Sequence, residues 1–486
     1  MTERLDGGPS PVRLNGWTTL YAPGFTGTAT EHVGADPTTR SANPRLFPAT
    51  LDEALGRSGL QELDTFELVL EPASPDRGTP NRGGPSGEGR IEMITDARTD
   101  RAAVVLIVDE HGVATWHFPE DADEDGRHRF FLRSPETVGR PADDDVHRGL
   151  VGIGARLVKT FVYDVTDPLV GGPVSTMAKL LESRTRPYRL RSFLPGTHDD
   201  PLPGHELGEA QIRELGAGRA LLFVHGTFSS ASTGFGEIPV PALEALHDDY
   251  DGRVFAFDHP TVSEDPLDNI EEFLRRIPDD VSLDLDVVSH SRGGLVTRTL
   301  AGEHRDLSID PDRVRVRRAV FAGTPNQGSR LLSPDYLPDL IDRYTTALNV
   351  LWFGPVAEVF DAVLLAVKVL ARGTVDGLEG VTAGDPDGPF MQGLRGRPGP
   401  GTTYHGIAAD FEPPSDGLGS FLKARTVDGV FENADHDMVV TADSVRIDGM
   451  HNFHLYAPDT EVDHMSYFRS STTGPLLRSW LTAGDG

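Results

Sequence analysis

Residues Leu285 to Arg298 read LDVVSHSRGGLVTR, and this stretch constrains the fold more than any other. Leu285 to Val288 is a short apolar run with two valines, the pattern of a buried strand. Ser289 to Gly294 then form a turn of mostly small residues, and Leu295 and Val296 restart the pattern at helical spacing. A strand, a sharp turn and a helix around a serine make a nucleophile elbow, with Ser291 at its apex. Strand and helix close over such a turn, so its flanks must be small. Gly293 meets that need on one side. Ser289 is small but stands where glycine is usual.

The surrounding chain decides whether this elbow has a sheet to sit in. Leu221–Val224, Val254–Phe257, Leu285–Val288, Arg317–Ala322 and Thr403–Ala408 are strand-like, and Asp268–Ile277 is helical. Strands alternating with helices predict a largely parallel sheet covered on both faces, with ligand sites at the carboxyl ends of its strands. Three glycine-containing loops lie at such ends: His225, Gly226, Thr227 and Phe228; the elbow; and Gly323 to Ser329.

Acyl transfer by serine needs a base, an acid to orient it and donors for the developing oxyanion. Ser291 is the nucleophile candidate. The backbone amides of Thr227 and Arg292 are the oxyanion candidates, with His225, Gly226 and Gly293 as supporting backbone. In an elbow fold the acid precedes the histidine, and both follow the serine. Asp437, just before Met438, Val439 and Val440, is the favoured acid, with Asp435 and Asp443 as rivals. His464, in a late loop ahead of a helix at Gly474–Leu481, is the favoured base. His451 and His454 fit less well, because a strand-like run, Phe453–Tyr456, follows too closely.

With those residues assembled, the chain from about residue 217 onward resembles the bacterial lipases of the α/β-hydrolase superfamily. Four segments carry the resemblance: VHGTF at 224–228, SHSRGG at 289–294, AGTPNQGS at 322–329 and DMVV at 437–440. The 65 positions from Gly226 to Ser291 suit the strand-helix spacing of that family. The resemblance implies a triad of Ser291, Asp437 and His464, oxyanion donors at Thr227 and Arg292, and no metal or organic cofactor. It implies a serine ester hydrolase for an apolar acyl ester or lipid. Two departures stand out: Ser289 in place of glycine, and Asn326 where many of these lipases have histidine. Two other readings are carried. One is an acyltransferase, or a deacylase of a lipid- or protein-linked ester; the other is an inactive hydrolase-fold scaffold.

Residues 1–195 read as a separate β-rich, sandwich-like accessory domain, with strands at Phe66–Leu70, Ala102–Val108, Val113–Phe118, Arg129–Leu132 and Val158–Tyr163. A linker is expected over 196–216 and the hydrolase domain over 217–486. A chain of 486 residues is too long for one core, which agrees with two domains. Residues 331–400 read as a helical cap insertion. Its apolar positions, among them Leu348, Leu351, Trp352, Phe353, Val356, Val359, Phe360, Val363, Leu364 and Val367, suit a lid or acyl pocket.

Several classes are disfavoured. A net charge of -30 speaks against nucleic acid or an anionic membrane as partner. Cysteine is absent, which removes disulfides and thiolate chemistry. Asp121, Asp123, Asp125 and Gly126 open like a calcium loop, but Leu132 stands where its closing glutamate belongs. Glu358, Asp361 and Lys368 interrupt the most apolar segment, so no spanning helix is expected. The residues after Met1 show no secretory apolar core, and the expectation is a cytoplasmic protein. The arginines at 184, 186, 189 and 191 are expected to pair with nearby carboxylates. A protein partner is expected through the N-terminal domain.

Overall fold

The computed structural model describes residues 1–32, 49–72, 91–96, 101–109, 112–120, 127–132, 154–164, 173–201, 205–350, 357–394, 399, 401–412, 431 and 434–482. The glycine- and proline-rich stretch 73–90, the acidic turn 121–126 and the cap residues 351–356 lie outside them. Two compact units form. One is built from residues Met1–Pro173 and Ile341–Val375, the other from Val174–Leu340, Asp376–Ser415 and Val430–Gly486.

The second unit is organised by a seven-stranded sheet. Its strands run in the order Arg189–Ser192, Val254–Asp258, Arg219–Val224, Leu283–His290, Val314–Ala322, Thr403–Ala409 and Asn452–Tyr456. All neighbours pair in parallel except Arg189–Ser192, an antiparallel edge. Successive residues of Arg219–Val224 face opposite sides, and both sides are apolar because helices cover both. Leu221 and Phe223 pack with Leu243, Leu246, Leu477 and Trp480 from the helices Val240–Asp249 and Thr473–Thr482. Ala220, Leu222 and Val224 pack with Ile270, Phe273, Val296 and Leu300 from Pro266–Arg276 and Gly293–Leu300. Each large side chain buried here stabilises the unit by about 1.5–3 kcal/mol.

The first unit has two antiparallel sheets, six-stranded and four-stranded, around one core. Phe66, Leu68, Val105 and Val158 come from the larger sheet, and Leu20, Ile91, Met93 and Phe130 from the smaller. Within the unit, residues from the helices Leu337–Val350 and Ala357–Leu370 bond to strands of the larger sheet. Trp116 donates its backbone N–H to Asp342 Oδ1 (2.7 Å) and its indole N–H to Thr345 Oγ1 (3.0 Å). The Tyr163 hydroxyl donates to the Lys368 carbonyl at 2.9 Å.

Three sequence expectations change. Residues 174–195 belong to the second unit rather than to an N-terminal domain ending at 195, because Arg189–Ser192 pairs with Val254–Asp258. The expected linker over 196–216 contains the helix Glu209–Leu215, whose Ile212 and Leu215 are part of the second unit's core. The single cap insertion at 331–400 is divided: Ile341–Val375 group with the first unit, and Asp376–Leu394 with the second. Phe360, Val363, Leu364 and Val367 are fully buried, and the helix Ala49–Arg57 packs against theirs. Their apolar character is thus accounted for inside the first unit. Among the described residues no helix is long and apolar enough to cross a membrane.

Candidate active site

The ends of the strands Arg219–Val224, Leu283–His290 and Val314–Ala322 meet at the elbow. Leu283–His290 delivers Ser291, which adopts φ +52, a left-handed conformation that costs a non-glycine residue about 1–3 kcal/mol. The turn persists because its neighbours determine it. Ser291 N–H donates to the Ala322 carbonyl (2.9 Å), and Gly294 N–H donates back to the Ser291 carbonyl (3.0 Å). Space is as tight as the sequence implies. A Cβ on Gly293 would lie 2.2 Å from the Val224 carbonyl oxygen, and one on Gly226 would lie 2.7 Å from Ser291 Cβ. Ser289 is accommodated in place of glycine because its hydroxyl donates to the Val320 carbonyl on the next strand (3.2 Å). Asn326, the second departure, donates its amide to the Val445 carbonyl (2.8 Å).

His464 follows the strand Asn452–Tyr456 and precedes the helix Thr473–Thr482. Its Nε2 lies 2.9 Å from Ser291 Oγ and its Nδ1 lies 2.7 Å from Asp437 Oδ2. Against a carboxylate Nδ1 carries the proton, which leaves Nε2 to accept from the serine hydroxyl. The backbone seconds the pairing, since His464 N–H donates to the Asp437 carbonyl at 2.9 Å. All three side chains are buried. The structure therefore brings together Ser291, Asp437 and His464. The rivals bond elsewhere: Asp443 lies 3.9 Å from Arg446, the Asp435 carbonyl accepts from Ala442 N–H, His451 N–H donates to the Tyr404 carbonyl, and His454 stacks edge-on against Tyr456.

The Asp437 carboxylate accepts four hydrogen bonds. Oδ1 takes the N–H groups of Val439 (3.0 Å) and Val440 (2.7 Å), and Oδ2 takes His464 and the Tyr467 hydroxyl (2.8 Å). Burial pushes its carboxyl up, but His464 and these N–H donors outweigh burial and hold it below the ordinary carboxylate range. Met438 beside it sits at φ +86 to turn those amides inward. Gly323, in the AGTPNQGS segment, has φ +55, and a Cβ there would lie 2.8 Å from Asp437 Oδ2.

Sequence reasoning missed Tyr467 and His290. Burial and the Asp437 charge push the Tyr467 phenol well up, so it stays a donor. His290 Nε2 donates to the His464 carbonyl (2.7 Å), and burial, then His464, push its imidazole down to about 3. Tyr467 had one faint signal, its place three residues after His464; His290 sat inside the elbow, but its long-range partner was invisible.

Thr227 follows Gly226, which lies against Ser291, and Arg292 follows Ser291 in the turn; among the described residues neither backbone amide donates to a protein acceptor. The Arg292 guanidinium is buried away from the turn, donating to the Gly380 carbonyl (2.6 Å), the Asn269 side chain (2.8 Å) and the Glu264 carbonyl. Burial pulls it down to about 10. His225 stacks on His259 with ring centroids 4.2 Å apart, and burial pushes its imidazole down to about 4. Among the described residues no group of three His, Asp or Glu side chains is placed to hold a metal ion.

A family model described as a domain of unknown function (DUF7379) matches residues 185–482. No curated protein matches the chain. Among solved structures, it is similar to the mature form of the lipase BlEst2 from Bacillus licheniformis at 22% identity, covering 54% of this chain and 92% of that one, with a TM-score of 0.34. It is similar to lipase 1 from Pelosinus fermentans at 10% identity, over 55% and 99% of the two chains, TM-score 0.37. A third is the 2-hydroxy-6-oxo-6-phenylhexa-2,4-dienoate hydrolase of Rhodococcus sp. strain RHA1, at 14% identity over 55% and 92%, TM-score 0.32.

Proposed function

We propose that this chain, which belongs through residues 185–482 to the family described as a domain of unknown function (DUF7379), is a serine ester hydrolase acting on apolar acyl esters. The observation that carries the reading is the unbroken hydrogen-bond chain from Ser291 Oγ through His464 to Asp437, at the carboxyl ends of a mostly parallel sheet.

His464 Nε2 takes the serine proton as Oγ attacks the ester carbonyl. The carbonyl oxygen becomes an anion and is received by the amides of Thr227 and Arg292, each worth about 3 kcal/mol in sites of this kind. The proton passes from His464 to the leaving alcohol, and the acyl group stays on Ser291. Water, deprotonated by the same imidazole, attacks that ester and frees the acid. Asp437 keeps the imidazole in the tautomer that serves both steps and stabilises the imidazolium between them.

Turnover of p-nitrophenyl esters of increasing chain length tests the reading. Ser291→Ala is expected to lose turnover on the order of a millionfold, as for removal of a triad serine elsewhere. A Ser291→Ala protein that hydrolyses as fast as the wild type refutes it. Added alcohol acceptors distinguish hydrolysis from acyl transfer by the products formed.

A further inference from the structure

We infer that Arg186 and Thr261, the latter held by Glu182, are positioning residues that fix the Thr227 amide as an oxyanion donor. The inference rests on the serine-hydrolase reading. Its starting point is Phe228, the residue after Thr227, which sits at φ +57 although it is bulky and buried. A phenylalanine holds that conformation only where its surroundings impose it.

Both polar groups of the Phe228 backbone are taken by side chains from other elements. Its N–H donates to Thr261 Oγ1 at 3.1 Å, and its carbonyl accepts from Arg186 Nη2 at 3.0 Å. The Phe228 N–H belongs to the peptide plane that joins it to Thr227, so Thr261 fixes one side of Thr227. The other side is fixed by Gly226, which has room for no side chain against Ser291 and His290. The Thr227 N–H is thus aimed from both sides while making no bond of its own among the described residues. An oxyanion donor must be preorganised in this way, because reorienting it during the reaction forfeits its benefit.

The clamp has a common root. Glu182 and Arg186 are four residues apart where the helix Val174–Thr185 ends, and Arg186 N–H donates to the Glu182 carbonyl at 2.6 Å. The buried Glu182 carboxylate accepts from the backbone N–H groups of Thr261 (2.6 Å), Val262 (2.9 Å) and Ser263 (2.7 Å), and from the Ser263 hydroxyl (2.7 Å). One helix end therefore holds the Phe228 carbonyl directly and the Phe228 N–H through the 261–263 loop. This explains why a buried arginine and a buried glutamate sit ahead of the first parallel strand.

The test compares Thr261→Val, which keeps the shape and removes the acceptor, with Thr261→Ser, which keeps the acceptor. Arg186→Met and Arg186→Lys form a second pair. For Thr261→Val and Arg186→Met we expect kcat to fall about tenfold to a hundredfold with KM little changed, since a small misplacement of a reacting group has effects of that size. Thr261→Ser is expected to restore most of the rate. Affinity for a trifluoromethyl ketone, whose adduct places an anion at the oxyanion position, should weaken in step with kcat/KM.

Wild-type kcat in folded Thr261→Val and Arg186→Met overturns the inference. So does a loss that tracks a lowered melting temperature and that serine at 261 does not repair. If Thr261→Val fails to fold, Arg186→Met decides: a tenfold to hundredfold lower kcat that Arg186→Lys largely restores supports the inference, and a wild-type kcat overturns it. If the wild type itself neither turns over esters nor binds the ketone, the hydrolase reading fails first and the clamp falls with it.

Discussion

The two units treat left-handed backbone differently. In the first, the described residues at positive φ are all glycines, such as Gly7, Gly24, Gly27, Gly59 and Gly112. In the second, five residues with side chains take such angles, and three of them, Phe228, Ser291 and Met438, stand in the loops that meet at Ser291. Asp251 and Glu461 occupy ordinary turns. Each side chain held there costs about 1–3 kcal/mol, which the surrounding bonds must offset. The first unit is thus built for regular pairing, while the second concentrates strain where strand ends converge. Such strain marks the place where geometry matters more than stability.

After Ser291→Ala, the largest effect that separates the units is expected at Asp437. Asp437→Asn keeps the shape but favours the wrong imidazole tautomer, and by analogy with the serine-protease triad kcat should fall about ten-thousandfold. A steady-state rate measurement suffices, and a fall of less than tenfold would detach Asp437 from the chemistry.

Gly226→Ala comes next. Its methyl would press on Ser291 Cβ, and a loss of about a hundredfold to a thousandfold in kcat is expected from the displaced oxyanion donor. Gly27→Ala in the first unit meets the Val69 carbonyl at 1.9 Å and should lower the melting temperature while leaving kcat alone. Equal effects of both on kcat would erase the contrast between the units.

Acid should also discriminate. His225 and His290 are pushed down to about 4 and about 3 by burial, whereas unfolded histidine titrates near 6.5. Between those values the unfolded chain binds more protons, so the stability present above about pH 6.5 is lost as pH falls, at up to about 1.4 kcal/mol per unit per histidine. Asp286 and Asp463, pushed up by burial, oppose this in part. Hydrogen exchange of peptides from Leu283–His290 between pH 7 and 5 should show protection falling with acid once intrinsic rates are corrected. A flat profile would mean these imidazoles are not neutral and buried.

The smallest effect is expected in the first unit. Trp116→Phe removes the bond to Thr345 Oγ1 and should cost about 1 kcal/mol in denaturant unfolding, with no change in turnover.

Much of the site was legible because it is local. The valines, the serine and Gly293 of the elbow lie within one short run, and the acid and histidine follow in the order the fold requires. What was not legible depends on distant partners. Arg189–Ser192 alternates charge with a single buried leucine, so only its pairing with Val254–Asp258 makes it a strand of the second unit. The helix Ala357–Leu370 is apolar on nearly every face, which announces burial but not the surface that buries it; that surface belongs to the first unit. The Glu182, Arg186 and Thr261 clamp spans three separated segments, and each residue alone reads as an ordinary helix end or loop position.

Every step of the proposed reaction requires Ser291 to be an activated nucleophile. Incubation with a fluorophosphonate, followed by intact mass and peptide mapping, tests it most directly. A single adduct is expected on the peptide containing Ser291, and none in folded Ser291→Ala. No adduct on the folded wild type, or one that persists in Ser291→Ala, would contradict it.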